Sequence, residues 1–395
     1  MDSRELVLRT LEFRNASGRV PRQLWTLAWA CEKYPQTLEK LARGFVWDFD
    51  GPAVRYARLP RTQGDPYAIG EYVDEWGCTF TNVHGGVIGE VKAPLVGDDD
   101  WSGANRVHIP EEWLSFDVAQ VNASCREKRE KFLMAGCCPR PFEQLQFIRG
   151  TVNLYMDLLD PPPRMLAFLE KMHDFYCRLL RKWAQTEVDA LNFMDDWGSQ
   201  NDLLISPALW DRYFRPMYRD YIDIAHAHGK KIFMHSDGNT LRILPRLIDL
   251  GLDAFNTQIF CIGIDKLAPF KGKITFWGEI DRQHLIPSGT PREIDAAIQG
   301  VYDTLWQDGG LIAQCEFGAG ANPDNVYRIY QKWREVRAGK AEDSRWDTQA
   351  GTMAGNFPCR AARRFRCNCR TIFPLPCRAS RAILPGWMAA GSREA

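Results

Sequence analysis

The feature that most constrains the fold of this chain is a regular alternation of apolar runs and amphipathic segments between residues 131 and 336. The apolar runs predict strands at residues 131–136, 188–193, 231–234, 254–256, 274–277 and 311–314. Helices are predicted between them at residues 163–187, 207–227, 291–305 and 323–336, each with a proline in its first turn. This alternation indicates parallel strands joined by right-handed crossovers.

Two α/β folds fit that alternation, an open doubly wound sheet and a (β/α)8 TIM barrel. An open sheet that binds dinucleotides has a Gly-rich phosphate turn after a strand, and no strand here leads into one. We therefore predict a single-domain TIM barrel over residues 1–338. Its N-terminal elaboration comprises a helix at residues 3–15, a first strand at residues 20–27, a loop at residues 47–52 and a β-hairpin at residues 70–95 that turns at Gly85-Gly86.

Polar residues follow nearly every predicted strand of the barrel. In a barrel, the carboxyl ends of all strands open onto one rim, where catalytic side chains lie. The residues expected at this rim are Asp195, Asp196, Trp197, Gln200, His235, Asp237, Gln258, Glu279, Asp281, Cys315 and Glu316. A simpler interpretation of the segment after residue 234 is that Asp237 caps the next helix and His235 is a hydrogen-bonded core histidine.

Composition excludes several functional classes. The 395 residues include 50 basic and 50 acidic ones, so no net charge favours nucleic-acid binding. No apolar run is long enough to span a membrane, and the N-terminus lacks the pattern of a signal peptide, so we expect a cytoplasmic protein. Most of the 12 cysteines are then expected to be reduced. Residues 339–395 are basic, contain four cysteines and show no periodicity, and we expect a disordered tail.

Several segments, in order, resemble the uroporphyrinogen decarboxylase superfamily. They are DDWGSQ (195–200), LISPALWDRYFRPMY (204–218), HGKKIFMHSDGN (228–239), LIDLGLDAFN (247–256), ITFWGEIDRQ (274–283) and CEFGAGANPDNV (315–326). The resemblance implies a (β/α)8 barrel and one of two activities, metal-free decarboxylation of a porphyrinogen or methyl transfer linked to cobalamin.

The two branches differ in their binding residues. The decarboxylases hold the carboxylates of their substrate with an arginine-rich motif, and the matching region here, LWTLAWACEKYP (24–35), has no arginine. The methyltransferases hold zinc with a His-x-Cys pair and a later cysteine. Here His235 matches the histidine, Asp237 replaces the first cysteine and Cys315 falls near the second. The resemblance therefore implies an altered zinc site, with Glu279 or Glu316 as substitute ligands. Alternatively, Asp237 breaks the site and Cys315 is a buried thiol.

The resemblance favours a zinc-dependent methyltransferase that acts with a corrinoid on a separate protein or with a small methylated compound. Uroporphyrinogen decarboxylation is the alternative, and a non-catalytic barrel that binds a small ligand is a third possibility. One of Asp195 and Asp196 is expected to face the pocket as a general acid. Glu279 and Asp281 are further catalytic candidates. Substrate contacts are expected from Trp197, Gln200, Gln258, Arg149 and Trp76, although aromatic residues on a hairpin more often pack than bind.

Overall fold

The computed structural model describes residues 1–336, and the statements that follow refer to this part of the chain. The strands are β1 (Arg22–Thr26), β2 (Phe49–Asp50), β3 (Gly70–Val73), β4 (Thr79–Asn82), β5 (Glu90–Val91), β6 (Phe132–Leu133), β7 (Ala190–Met194), β8 (Lys231–Ser236), β9 (Ala254–Thr257), β10 (Thr275–Trp277) and β11 (Leu311–Phe317).

The α-helices are α1 (Ser3–Leu11), α2 (Ala28–Lys33), α3 (Pro35–Gly44), α4 (Val118–Glu127), α5 (Pro141–Arg149), α6 (Thr151–Leu159), α7 (Pro163–Ala184), α8 (Pro207–Tyr213), α9 (Arg215–Ala227), α10 (Leu244–Asp249), α11 (Ile259–Ile262), α12 (Ile264–Leu267), α13 (Leu285–Ser288), α14 (Pro291–Leu305) and α15 (Pro323–Glu335). Short 3-10 helices cover Ser102–Arg106, Glu111–Ser115 and Ala268–Phe270.

The centre of the molecule is a curled, six-stranded parallel sheet with the order β1-β11-β10-β9-β8-β7. Consecutive strands from β7 to β11 are joined through helices on the outside of the sheet. This arrangement confirms the predicted α/β class and the parallel strands. Proline is in the first turn of α7, α8, α14 and α15, as predicted.

Strands β2 and β6 form a separate parallel pair. Asp48, just before β2, donates its backbone N–H to the carbonyl oxygen of Arg22 in β1 at 3.0 Å. Met134, just after β6, forms an isolated parallel bridge with Ala190 in β7. The pair is thus hydrogen-bonded to both outer strands of the six-stranded sheet. Residues 49–50, expected in a loop, are strand residues instead.

Side chains on the concave face of the sheet form an inner apolar cluster. It takes members from all eight parallel strands and from α1, namely Val7, Leu11, Trp25, Phe49, Phe132, Met134, Ala190, Phe233, Ala254, Trp277 and Ile312. The opposite faces of the strands other than β2 contribute residues to a larger cluster that includes the helices. Burial on both faces explains why the central strands are continuous apolar runs in the sequence.

Strands β3, β4 and β5 form a small antiparallel sheet within the N-terminal elaboration. Residues 74–78 connect β3 to β4, and the Asp74 carboxylate closes this turn by accepting from the backbone N–H groups of Trp76 and Cys78. The predicted hairpin is present, since Gly85 and Gly86 lie in the connection between the antiparallel strands β4 and β5. The hairpin of β3 and β4 precedes it and was not separated in the sequence analysis.

Within residues 1–336, none of the helices has both the length and the apolar character that crossing a membrane requires. The eight cysteines of this range are free thiols. The predictions for residues 339–395 lie outside the described part of the chain.

Candidate functional site

Polar side chains meet where β7, β8, β9 and β11 end. Because side chains alternate along a strand, residues two apart share a face. His235 and Asp237 of the β8 segment therefore point to the concave side, as do Asn256 and Gln258 at β9. Gln314 and Glu316 follow Ile312 on the same face of β11. The sequence prediction that polar groups of several strand ends converge agrees with this geometry.

His235 is held in one orientation by its neighbours. The ring is 3 % exposed and packs edge-on against Trp25, with 5.2 Å between ring centroids. Its Nδ1 lies 2.6 Å from Oδ1 of Asn256. The Asn256 amide nitrogen donates to the carbonyl oxygen of Trp277 and to Oε1 of Gln314, so its oxygen must face His235. In the neutral ring, Nδ1 then carries the hydrogen and Nε2 carries the lone pair that faces the site.

Two carboxylates face that lone pair. Nε2 of His235 lies 3.6 Å from Oδ1 of Asp196 and 3.6 Å from Oδ1 of Asp237. Each of the three residues offers a ligand atom within 4.8 Å of the others. Ligand atoms in a tetrahedral zinc site with bonds of about 2.1 Å are separated by about 3.4 Å. The spacing of these three residues fits a small divalent cation.

A buried ion-pair cluster lies beside the three residues. Arg282 pairs with Asp237, and its Nη1 lies 3.6 Å from Oε1 of Glu279 and 3.5 Å from Oε2 of Glu316. Gln258 donates to the other oxygen of Asp237 at 3.0 Å. Burial raises the pKa of Glu279 to about 8 and also raises the pKa of Glu316. One guanidinium is thus shared by three carboxyl groups.

The adjacent residues Asp195 and Asp196 have different roles. Asp195 points outward and accepts from the backbone N–H of Glu143 at 2.8 Å and from the Tyr218 hydroxyl at 2.6 Å, so it caps the start of α5. Asp196 points inward, and burial, followed by the Asp237 charge, raises its pKa well above the ordinary value. Of the pair, Asp196 is therefore the residue that lies beside His235 and Asp237, and its expected role as a general acid stays a prediction.

Two glycines let the loops that carry Asp196 and Asp237 approach each other. Gly238 has φ +75°, and a Cβ there would lie 2.1 Å from the carbonyl oxygen of Gly198. The backbone N–H of Gly198 also donates to the carbonyl oxygen of Asp237 at 3.0 Å. Any larger residue would separate the loops.

A narrow pocket of about 50 Å³ opens next to the ion-pair cluster. Its lining includes the predicted residues Gln200, Gln258, Glu279 and Asp281. Asp281 accepts from the backbone N–H groups of Gln283 and His284, so it also shapes the loop that carries Arg282. These four predicted residues therefore share one pocket.

The predicted metal ligand Cys315 is not in this site. It lies between Gln314 and Glu316 on β11, and strand alternation directs it toward the helices, where its thiol meets Tyr330 of α15. Burial raises the pKa of the Cys315 thiol to about 12. The prediction of Cys315 beside His235 and Asp237 is wrong, and the residue that lies with them is Asp196.

Three residues predicted to bind substrate are engaged elsewhere. Trp76 is fully buried against Phe175 and Tyr176 of α7. Arg149 pairs with Asp157 and donates to two backbone carbonyl groups. Trp197 stacks on the Phe142 ring at 4.1 Å between centroids and donates to Tyr218. These side chains stabilise the elements around the site and do not line the pocket.

Sequence reasoning missed Asn256 and Arg282. Asn256 had a signal, since it is a polar residue within an apolar strand, Ala254–Thr257. Arg282 had a weaker signal as a lone cation in a loop that also carries Glu279 and Asp281.

Comparisons with known proteins agree with this architecture. The family model described as uroporphyrinogen decarboxylase (URO-D) matches residues 73–335, which is more than half of the chain. A methyltransferase from Methanosarcina mazei has a similar fold, with a TM-score of 0.51 and 15% identity over 66% of this chain and 76% of that chain.

Two further solved structures match more loosely. A protein from Sinorhizobium meliloti 1021 has a TM-score of 0.35 and 13% identity over 56% of this chain and 84% of its own. A xylose isomerase domain protein from Alicyclobacillus acidocaldarius has a TM-score of 0.30 and 15% identity, with coverages of 55% and 80%. The search of curated proteins gives no match. The extent of the family match, together with the parallel α/β fold, shows that the chain belongs to the uroporphyrinogen decarboxylase (URO-D) family.

Proposed function

We propose that this protein is a zinc-dependent methyltransferase of the URO-D family, with the metal held by Asp196, His235 and Asp237. The observation that carries the proposal is the orientation of His235, whose Nε2 faces two carboxylate oxygens at 3.6 Å each. The methyl group would come from a corrinoid on a separate protein or from a small methylated compound in the cytoplasm.

The charges of the site fit a divalent cation. A neutral imidazole and two carboxylates carry two negative charges, which Zn²⁺ balances. Burial, followed by the Asp237 charge, raises the pKa of Asp196 well above its ordinary value, although Arg282 pairs with Asp237, and a bound cation would favour the ionised form of Asp196. The hydrogen bond from His235 to Asn256 is the outer support that metal-binding histidines usually have.

Bound at this position, zinc would coordinate the sulfur of a thiol acceptor and lower its pKa, which makes the sulfur a methyl acceptor. The protein residues have supporting roles. Asn256 fixes the tautomer of His235, while Gln258 and Arg282 hold Asp237. Glu279 and Asp281 shape the pocket through which a small acceptor would approach, and Gln200 lines its outer part.

We also propose that the sheet closes into the eight-stranded TIM barrel predicted from the sequence. The bonds of the β2–β6 pair to β1 and β7 support closure, as does the inner cluster with members from all eight parallel strands. The contacts of Arg282 with Asp237 and Glu316 also support closure, because they bring the ends of β8 and β11 together across a strongly curled sheet.

Metal-free decarboxylation is a second candidate, favoured by one observation. Glu279 has a pKa of about 8 and would be protonated at neutral pH, so it could act as a proton donor. A porphyrinogen fits less well, because Arg282 is already shared by three carboxyl groups and the pocket is only about 50 Å³.

Metal analysis of the full-length protein and its variants tests the proposal. We expect His235→Ala, Asp196→Asn and Asp237→Asn each to lose one equivalent of zinc relative to the unaltered protein. Cys315→Ser is the matched control and is expected to keep it, since Cys315 points away from the site. The zinc-loaded protein should also demethylate methylcobalamin in the presence of a thiol, and His235→Ala should not.

Other outcomes would reject the proposal. Equal zinc content in all variants would show that these residues hold no metal. Carbon dioxide release from uroporphyrinogen by metal-free protein would establish decarboxylation instead. Tight binding of a small ligand with neither activity would indicate a non-catalytic barrel.

A further inference from the structure

A second group of metal-binding side chains lies on the outer helices, away from the pocket. His173 and Cys177 are one turn apart on α7, and Asp220 lies opposite them on α9. Each offers a ligand atom within 4.8 Å of the others. The Sγ atom of Cys177 lies 3.6 Å from Nε2 of His173, which in turn lies 2.7 Å from Oδ2 of Asp220.

We propose that these three residues form a second, structural zinc site that joins α7 to α9. Nitrogen, thiolate and carboxylate oxygen are all zinc ligands, and a mixed set with sulfur selects zinc over magnesium or calcium. A water molecule would complete a tetrahedral shell. Residues four apart on a helix share a face, so His173 and Cys177 point to the same position without any change of backbone.

The distances allow this assignment once two side chains rotate. In a tetrahedral site, sulfur and nitrogen ligands are about 3.6 Å apart, which is the distance from Sγ of Cys177 to Nε2 of His173. Because Sγ also lies 3.8 Å from Nδ1, the imidazole must turn before Nε2 and the thiolate can share an ion. Asp220 is closer to His173 than two ligands should be. Its side chain is about half exposed, so it can rotate outward to admit a cation. The Tyr221 hydroxyl lies 3.5 Å from Nδ1 of His173 and can accept a hydrogen bond from Nδ1–H, which leaves Nε2 for the metal.

The burial of the thiol provides a second argument. Cys177 is 4 % exposed, while the opposite side of the group opens to solvent at Asp220. A cation arriving from solvent would therefore meet the carboxylate first and be shielded from water by the helices. Since the metal would bind the folded form only, it would stabilise the packing of α7 against α9.

Cobalt substitution tests this site separately from the pocket, because only cobalt bound to a thiolate gives a sulfur-to-metal charge-transfer absorption band. The starting protein would be full-length with Cys261, Cys359, Cys367, Cys369 and Cys377 replaced by serine, which removes the cysteine near the pocket and those beyond residue 336. After chelator treatment, Co²⁺ is expected to produce the band in this protein.

The band should disappear in Cys177→Ser and in His173→Gln, and it should be weakened in Asp220→Asn. Cys125→Ser, which removes another buried helical thiol, is the matched control and should keep the band. His235→Ala should also keep it, which separates this site from the one proposed for catalysis. Zinc should raise the Tm of the starting protein, and that rise should be lost in His173→Gln.

Absence of the band in the starting protein, or its survival in Cys177→Ser, would overturn the proposal. In either case His173 and Asp220 form an ordinary ion pair between helices. Circular dichroism of each variant would show that a lost band does not result from unfolding.

Discussion

At the residue scale, the hydrogen bond between His235 and Asn256 determines which ring nitrogen faces the carboxylates. In the neutral ring, this bond places the hydrogen on Nδ1 and leaves the lone pair on Nε2, where a metal would bind. Asn256 presents its oxygen to Nδ1 because its own amide nitrogen donates to Trp277 and Gln314. Three residues from neighbouring strands thus set the tautomer of one imidazole.

Replacement of Asn256 by leucine tests this chain of contacts. Asn256→Leu keeps the approximate volume but removes the acceptor, so His235 loses its fixed tautomer. We expect the zinc affinity of the pocket to fall by about 10–100-fold. Competition with a fluorescent chelator measures the affinity. Thr257→Val, which alters the next residue of β9 on the opposite face, is the control and should bind zinc normally.

The buried carboxyl group of Glu75 gives a prediction about how the stability of the fold depends on pH. The side chain is 2 % exposed, and burial, with the nearby Asp74 charge, raises its pKa to about 8. Between its ordinary pKa and about 8, the folded protein therefore holds a proton that the unfolded chain has released. Stability must fall as pH rises through this window, by up to about 1.4 kcal/mol for each unit of pKa difference.

The side chain in Glu75→Gln cannot release a proton, so the free energy of unfolding of this variant should fall less as the pH rises. Urea unfolding at about pH 5 and about pH 9 would measure the free energies. We expect a smaller decrease for Glu75→Gln than for the unaltered protein. Glu71→Gln, at an exposed position of β3, should behave like the unaltered protein. Parallel pH dependence of all three proteins would contradict the prediction.

At the scale of elements, strand alternation explains both the success and the main error of the sequence analysis. The positions of His235, Asp237 and Glu279 at the ends of predicted parallel strands were enough to predict that they converge. Spacing in the sequence also placed Cys315 near the rim, but it did not give the face of β11 on which the thiol lies. A shift of one residue along a strand moves a side chain from the concave face, which carries the rim residues, to the face that packs against the helices. That choice depends on the pairing of β11 with β1 and β10, which a single sequence does not reveal.

The loop pair at Gly198 and Gly238 gives a prediction at the same scale. Gly238→Ala would place a methyl group against the Gly198 carbonyl and force the two loops apart. Asp196 and Asp237 would then separate, so we expect the variant to lose zinc. Its free energy of unfolding should fall by more than the roughly 1 kcal/mol that a non-glycine residue at positive φ costs by itself. Gly229→Ala is the control, because Gly229 also has positive φ (+66°) but has open space around it. Equal costs in both variants would mean that the loops tolerate separation.

At the scale of the whole molecule, the alternation of strands and helices after residue 131 was enough to predict the fold class. The N-terminal part was harder to predict, because β2 and β6 have two residues each and their pairing joins segments more than 80 residues apart. Such short strands carry no periodicity. Their place in the structure depends on backbone bonds to β1 and β7, which form only when the sheet curls.

The same argument assigns a structural role to α1. Its start is bonded to the loops before β6 and β7, since Arg4 donates its backbone N–H to Glu130 and its side chain to Asp189. Near its end, the carbonyl oxygen of Thr10 accepts from Gly310, just before β11. The helix therefore crosses the amino-terminal end of the sheet, opposite the candidate site. Leu11 and Val7 fill the inner cluster from this side.

If α1 closes the interior, truncating Leu11 should destabilise the entire domain. We expect Leu11→Ala to lower the free energy of unfolding by about 2–5 kcal/mol in a single transition. Arg9→Ala, on the exposed face of the same helix, should change it by less than about 0.5 kcal/mol. Urea unfolding followed by both tryptophan fluorescence and circular dichroism measures these values. A small effect of Leu11→Ala, or separate transitions for the two probes, would mean that α1 is an independent arm and that the interior is closed without it.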